Sequence, residues 1–231
     1  MERIGQIALD PRLTTVARMV GHVAYCADVG CDHGRLGAWL IQTGMCQRVQ
    51  MADISEASLQ KARDLIGRLG LEEQVDFVVC DGVSGLKPPL ETVVIAGMGG
   101  KTIADIVHRG RNMLGKARLV LAPNVAAAHL RRSLSEDGYR IVDECLVKDE
   151  GRWYAVISAC SGESDYSVEQ IEVGPVLLSR MPPELAGYGR FRLRVAQKAF
   201  YGAEQSGDET RLGPLRREIR IWEGVLKCLQ Q

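Results

Sequence analysis

The sequence has no excess of charge: Lys and Arg together number 29, as do Asp and Glu, across 231 residues. A whole-chain basic footprint for nucleic acid is therefore missing, and any such role must rest on a local patch or on shape. Metal-ligand spacing is missing as well. Cys26, Cys31, Cys46, Cys80, Cys145, Cys160 and Cys228 form no C-x-x-C and join no cysteine–histidine cluster, which argues against zinc or any other metal. Their odd number cannot all pair, and their neighbours are apolar. Most read as small core hydrophobes in a reducing, cytoplasmic compartment. No apolar run approaches the roughly 18 residues of a membrane span, and the N-terminal residues lack a basic-then-apolar leader pattern. The expectation is a soluble protein with no membrane partner. A hydrophobic content of 46% implies a packed globule rather than a disordered chain.

What is present is an alternation of short apolar runs with helical spacing. Asp10 followed by Pro11 opens a helix with Leu13, Val16, Ala17 and Val20 on one face. Strands are expected at 23–30, 47–54, 75–80, 92–96 and 117–122, with helices at 36–43, 55–69, from about 101, and 126–136 between them. Two further strands, 139–147 and 152–159, share the turn at Asp149–Gly151. Strands alternating with helices predict a mostly parallel sheet covered on both faces, and the last pair adds an antiparallel hairpin at one edge. This is a seven-stranded, Rossmann-like α/β sheet. After residue 162 the pattern changes. Leu193, Ala196, Phe200 and Ala203, then Leu212, Leu215, Ile219, Trp222, Leu226 and Leu229, follow alternating spacings of three and four. The expected organisation is an α/β domain over 1–162 and a C-terminal helical hairpin within 163–231, with Pro175, Pro182 and Pro183 marking a linker.

Chemistry collects where the parallel strands end, the place such sheets bind ligands. The first strand closes in Asp28-Val29-Gly30-Cys31-Asp32-His33-Gly34-Arg35. Gly30 permits close backbone approach, but the spacing is not G-x-G-x-x-G, so a cofactor without a diphosphate fits better than a dinucleotide. Asp53, about 20 residues further on, is placed to accept ribose hydroxyls, or else caps a helix together with Ser55. Asp81-Gly82 follows the third strand and reads as an acceptor for an adenine amine or as an ordinary turn. Ala96-Gly97-Met98-Gly99-Gly100 follows the fourth, a side-chain-poor wall for a flat ring or a bare flexible loop. His33 reads as a proton shuttle or a helix-start packing residue. Arg109 and Arg111, and the strip Arg190, Arg192, Arg194 and Lys198, are candidate phosphate contacts or solvated helix faces. Each motif is weak alone; four in succession at strand ends reinforce one another.

These residues resemble the bacterial tRNA (adenine-N1)-methyltransferases that act at tRNA position 22, the TrmK family. The resemblance is carried by Ala27–His33, Asp81-Gly82, Val94–Gly100, Leu121-Ala122-Pro123-Asn124 and Leu130-Arg131, and more loosely by Val173–Leu178. It spans about Arg12 to Ala159. It implies S-adenosyl-L-methionine as cofactor and tRNA as substrate. The cofactor set it implies is Arg12, Asp28, Gly30, Cys31, His33, Asp53, Ile54, Asp81, Gly82 and Ala96. The catalytic pocket it implies centres on Asp32, Gly97 and Met98, with Arg35 where the family often has a tyrosine. Contacts to tRNA are expected from Lys101, Arg109, Arg111, Arg131, Arg190, Arg194 and Lys198, and the chain is expected to be a monomer or weak homodimer. Two other classes share features with this reading: a methyltransferase for small molecules or proteins, and a non-catalytic binding module. A nicotinamide dehydrogenase fits less well, because the second fingerprint glycine is missing and the sheet ends in a hairpin.

Overall fold

The computed structural model describes residues 5–230. Contacts between Cα atoms divide the chain into two compact units, Met1–Asp165 and Tyr166–Gln231. The first unit opens with α1 (Pro11–Val20), whose N-cap Asp10 accepts the backbone N–H of Leu13 at 2.6 Å while Pro11 fills the first helical position. There follow β1 (Val23–Val29), α2 (Arg35–Gln42), β2 (Cys46–Asp53), α3 (Glu56–Leu69), a single 3₁₀ turn, β3 (Val75–Val79), β4 (Thr92–Ala96), α4 (Gly100–Leu114), β5 (Arg118–Ala122), α5 (Ala127–Glu136), β6 (Tyr139–Asp149) and β7 (Arg152–Ser161).

The sheet order is β3-β2-β1-β4-β5-β7-β6. The first five strands in that order pair in parallel, and β7 joins antiparallel to both β5 and β6. The continuous apolar runs of the central strands follow from this placement. Val93, Val94 and Ile95 of β4, and Leu119, Val120 and Leu121 of β5, have no exposed surface at all because helices cover both faces. The order also creates a switch point. From β1 the chain steps outward through β2 and β3, then crosses back to place β4 on the other side of β1. Loops after β1 and β4 therefore diverge and leave a crevice at their carboxyl ends.

Arg131 corrects one expectation. It was placed among the tRNA contacts, but its side chain is fully buried on α5, and its Nε donates to Glu144 of β6 at 2.7 Å, itself fully buried. Taking one partner from such a pair strands a charge in the core, at a cost of about 3–5 kcal/mol. Arg131 is part of the core and cannot reach RNA.

The second unit holds α6 (Val168–Val173), α7 (Pro175–Arg180), α8 (Glu184–Ser206) and α9 (Glu209–Cys228). The stretch expected as a proline-marked linker is thus two short helices. Pro175 sits at the first turn of α7, where its missing N–H has no partner to lose. Helices α8 and α9 form the expected hairpin, turning at Gly207. Its packing centre is Trp222, fully buried, edge-on to Tyr188 at 5.5 Å between ring centroids. Trp222 Nε1 donates to Glu172 at 2.9 Å, and Arg192 donates to Glu172 and Glu218 at 2.9 and 2.7 Å. Arg192 therefore faces inward and leaves the strip in which its spacing had placed it. Arg190, Arg194 and Lys198 stay exposed, at successive intervals of four along α8.

Candidate active site

The carboxyl ends of β1 and β2 are locked together by backbone. Gly30 and Cys31 both donate to the carbonyl of Ala52, at 2.8 and 3.1 Å. The chain can double back there because Gly30 takes φ +71°, a region costly for residues with a Cβ. Asp32 also has a left-handed backbone, φ +48°, a strained choice that aspartate tolerates better than most residues. Asp53 holds it in place: one carboxylate oxygen accepts the N–H of Asp32 at 3.2 Å, the other the N–H of Ser55 at 2.9 Å. Ser55, not Asp53, caps α3, accepting from the N–H of Ser58. The Asp32 side chain is 63% exposed and accepts from His33 Nδ1 at 2.5 Å.

On the other side of the switch point, the loop after β4 is fixed to the loop after β5. Gly97 donates to Ala122, Asn124 donates to the carbonyl of Met98 at 2.8 Å, and Asn124 Nδ2 donates to the carbonyl of Gly97 at 2.6 Å. Gly100 is required by contact. A Cβ there would lie 2.4 Å from the carbonyl oxygen of Ala126. Met98 reaches back across the crevice, so that a Cβ on Gly30 would meet its methyl at 2.2 Å.

Between these loops lies a cavity of about 480 Å³. It is lined by Arg12, Asp28, Gly30, Cys31, Asp32, His33, Arg35, Asp53, Ala96, Gly97 and Met98, together with Leu13 and Leu36. Eleven of the sequence candidates thus converge on one site. Leu13 and Leu36 were given no ligand role, because an apolar residue at helical spacing reads as core. Asn124 was visible only as part of a quoted motif; nothing in its spacing showed that it pins the glycine loop.

Two electrostatic features distinguish the cavity. Burial pushes the Asp28 carboxyl up to about 7, partly opposed by a hydrogen bond from the Gly37 N–H and reinforced by the nearby charge of Asp53. Arg12 lies with its guanidinium 5.5 Å from the ring centre of Tyr154, and its buried Nη1 has no hydrogen-bond partner. A buried guanidinium nitrogen without an acceptor at a cavity wall calls for an anionic ligand group. Burial also raises the Cys31 thiol, so it is no nucleophile.

Other candidates lie apart. Asp81 does not line the cavity. Its carboxylate is held by Arg109 at 2.7 and 3.3 Å, with both side chains more than half exposed, and this pairing draws it below the usual carboxylate range. Gly82 and Ile54 are likewise outside the lining, Ile54 being 72% exposed just past Asp53. Lys101 is exposed on the first turn of α4, and Arg111 is 3.7 Å from Asp137.

A family model described as a methyltransferase domain matches residues 9–157. The tRNA (adenine(22)-N(1))-methyltransferase of Bacillus subtilis is 30% identical over 177 residues, covering 76% of this chain and 74% of that protein. The crystal structure of the B. subtilis m1A22 tRNA methyltransferase TrmK superposes with a TM-score of 0.85 at 25% identity, covering 95% of this chain and 99% of the other. A Streptococcus pneumoniae protein solved in complex with S-adenosyl-L-methionine gives a TM-score of 0.85 at 26% identity, covering 95% and 100% of the two chains. Mycoplasma capricolum TrmK with S-adenosyl-homocysteine, at 19% identity and a TM-score of 0.79 over 95% of this chain and 98% of that one, shares the fold. With three of the four strand-end motifs gathered at one crevice and these similarities in sequence and structure, the chain belongs to the TrmK family of tRNA (adenine-N1)-methyltransferases.

Proposed function

We propose that this protein methylates N1 of an adenosine in tRNA, at position 22 as in its B. subtilis relative, with S-adenosyl-L-methionine as methyl donor. The observation that carries the reading is the single crevice at the switch point, which places the Gly30–Arg35 loop, Asp53 and the Ala96–Met98 loop around one space. The residues fit the donor. Arg12, with its unpartnered buried nitrogen, suits the carboxylate of an amino acid. Asp28 suits its ammonium. Asp53, already rigid through two backbone N–H groups, suits the ribose hydroxyls. Ile54 and the Asp81-Gly82 turn suit the adenine, with Cys31, His33 and Ala96 completing the walls. When bound, this donor supplies a methyl group activated on a sulfonium.

The chain's own work is then positioning. Adenine N1 has a lone pair, so no general base is required, and holding the ring in line supplies most of the rate. N1 is on the pairing edge, so the base must leave its stack to enter the crevice. Gly97 and Met98 form the wall against which it lies. Positive charge develops on the ring as N1 is alkylated. Asp32, exposed and oriented by His33, accepts a hydrogen bond from the exocyclic amine and stabilises that charge. Arg35 stacks on or bonds the nucleotide. Lys101, Arg109 and Arg111 in the first unit, and Arg190, Arg194 and Lys198 in the second, offer positive charge to phosphates. With tRNA as substrate, the cytoplasm is the compartment we propose. No helix among the described residues is long and apolar enough to cross a membrane.

The test is incubation of the protein with labelled donor and unmodified tRNA, followed by nucleoside mapping. One methyl on N1 of one adenosine is expected. Asp32→Ala should lower turnover by about 10²-fold or more while donor binding stays intact. Methyl transfer to protein or small molecules but not to tRNA overturns the reading.

A further inference from the structure

A second cavity, of about 650 Å³, adjoins the first. His33 and Arg35 line both, so the two share a wall. The new cavity is bounded on one side by the backbone segment Gly5–Ala8 and on the other by α3, which contributes Lys61, Asp64, Leu65 and Arg68. These four occupy positions i, i+3, i+4 and i+7, a single helix face. Lys61 and Arg68 stand about 10 Å apart along the axis, with Leu65 between them and Ile7 opposite. Neither cationic side chain has a hydrogen-bond or ion-pair partner among the described residues. Asp64 is engaged by Gln60 Nε2 at 2.9 Å. Arg35 spends Nη2 on the carbonyl of Ala8 at 2.6 Å, which ties its arm to the cavity wall. Three cations therefore surround an apolar floor with one carboxylate nearby.

A base delivered into the first cavity from within a polynucleotide brings its flanking nucleotides with it, and these must lie against the protein close by. The adjoining cavity offers what such a nucleotide needs: cations for phosphate and apolar side chains for a base or sugar face. Resting on the reading of the first cavity as an RNA methylation site, we infer that the second cavity holds a nucleotide flanking the target adenosine, with backbone phosphate between Lys61 and Arg68. The two side chains bind RNA and take no part in donor binding or in the chemistry. Neither was distinguishable in the sequence from solvated lysines and arginines elsewhere, since the cavity exists only once Gly5–Ala8 is laid over α3.

The experiment measures methylation of unmodified tRNA and donor affinity by calorimetry for the wild type, Lys61→Glu/Arg68→Glu and Lys61→Arg/Arg68→Lys. Both side chains are exposed, so folding should survive, as thermal melts will report. The charge-reversed protein should show a KM for tRNA raised at least about fivefold, and a tRNA-binding salt slope shallower by about two, one for each lost phosphate contact. Its donor affinity and its kcat at saturating tRNA should match the wild type, and the charge-conserving variant should behave as the wild type. If the wild type methylates tRNA and the reversed variant keeps its KM and salt slope, the second cavity does not hold RNA and the inference falls alone. A parallel loss of donor affinity also overturns it, because the cavity would then serve the donor. If the wild type leaves tRNA unmethylated, the reading of the first cavity falls.

Discussion

Asp53 ends β2 and Asp81 comes just after its parallel neighbour β3, and the two were read from sequence as acids of one ligand site. The structure treats them differently. Asp53 is half-buried, lines the crevice and is fixed by two backbone N–H groups. Asp81 is exposed, lies outside the crevice lining and is held only by Arg109. Backbone donors belong to a closed loop and cost no side-chain entropy to keep in place, whereas an exposed ion pair between flexible side chains contributes little and opens readily. The end of β2 is thus preformed, whereas beyond β3 the carboxylate is held by a surface contact that another partner can replace.

The largest effect should come from the preformed end. On the proposed reading Asp53→Ala removes the acceptors for two ribose hydroxyls, and hydrogen bonds to a charged group contribute about 1.5–3 kcal/mol each. It also leaves the N–H groups of Asp32 and Ser55 without their acceptor and frees a strained backbone at Asp32. Calorimetry should show donor affinity reduced by about 10²-fold or more. A loss smaller than that of Asp81→Ala would reverse the comparison.

The second effect is a pH dependence centred on Asp28. Its folded pKa of about 7 lies above its ordinary 3.8, so the folded protein keeps a proton that the unfolded chain has released. Stability of the donor-free protein should therefore fall as pH rises from about 4 to about 7 and level off above, and Asp28→Asn should remove that slope. A donor bearing ammonium and sulfonium charge favours the ionised form. Its affinity should rise with pH across the same upper range, by up to about fivefold between pH 6 and 7, with proton release on binding. A pH-independent affinity in the wild type would separate Asp28 from the donor.

What could be read without coordinates tracks the range of the forces involved. Apolar runs ending in Asp or Gly located β1 and β4, because a strand buried on both faces is drawn mainly from apolar residues. Asp10-Pro11 and Ser55 located helix starts through local hydrogen bonds three residues long. Pairings across the chain were invisible. Arg131 looked like a free cation because Glu144 lies on another element, across a strand edge. Arg192 looked like part of a basic strip because Glu172 and Glu218 come from two other helices. Pro175 looked like a breaker because its harmless place at a helix start depends on where that helix begins. Asp81 looked like Asp53 because both stand near strand ends, and only Arg109 of α4, 28 residues away, separates them.

Asp81→Ala should weaken donor binding by about tenfold if, as proposed, it supplies one charge-assisted acceptor for the adenine amine, offset in part because Arg109 no longer has to be released. Donor affinity unchanged within error would leave the adenine to Ile54 and backbone alone.

The smallest effect, and the sharpest test of the comparison, belongs to Arg109→Ala. With both partners exposed, the Arg109–Asp81 contact is screened by salt and weak. Removing the guanidinium leaves Asp81 free to accept, so donor affinity should stay equal to the wild type or tighten by no more than about threefold, and that difference should vanish in 0.5 M salt. The tRNA side of the reaction discriminates further. If Arg109 is released toward phosphate when the donor takes Asp81, its loss should raise the KM for tRNA without changing kcat, and lower the salt slope by about one. Donor binding weakened in Arg109→Ala would mean that the guanidinium itself holds the ligand. The β3 end would then be a built site like the β2 end, and the difference drawn between Asp53 and Asp81 would disappear.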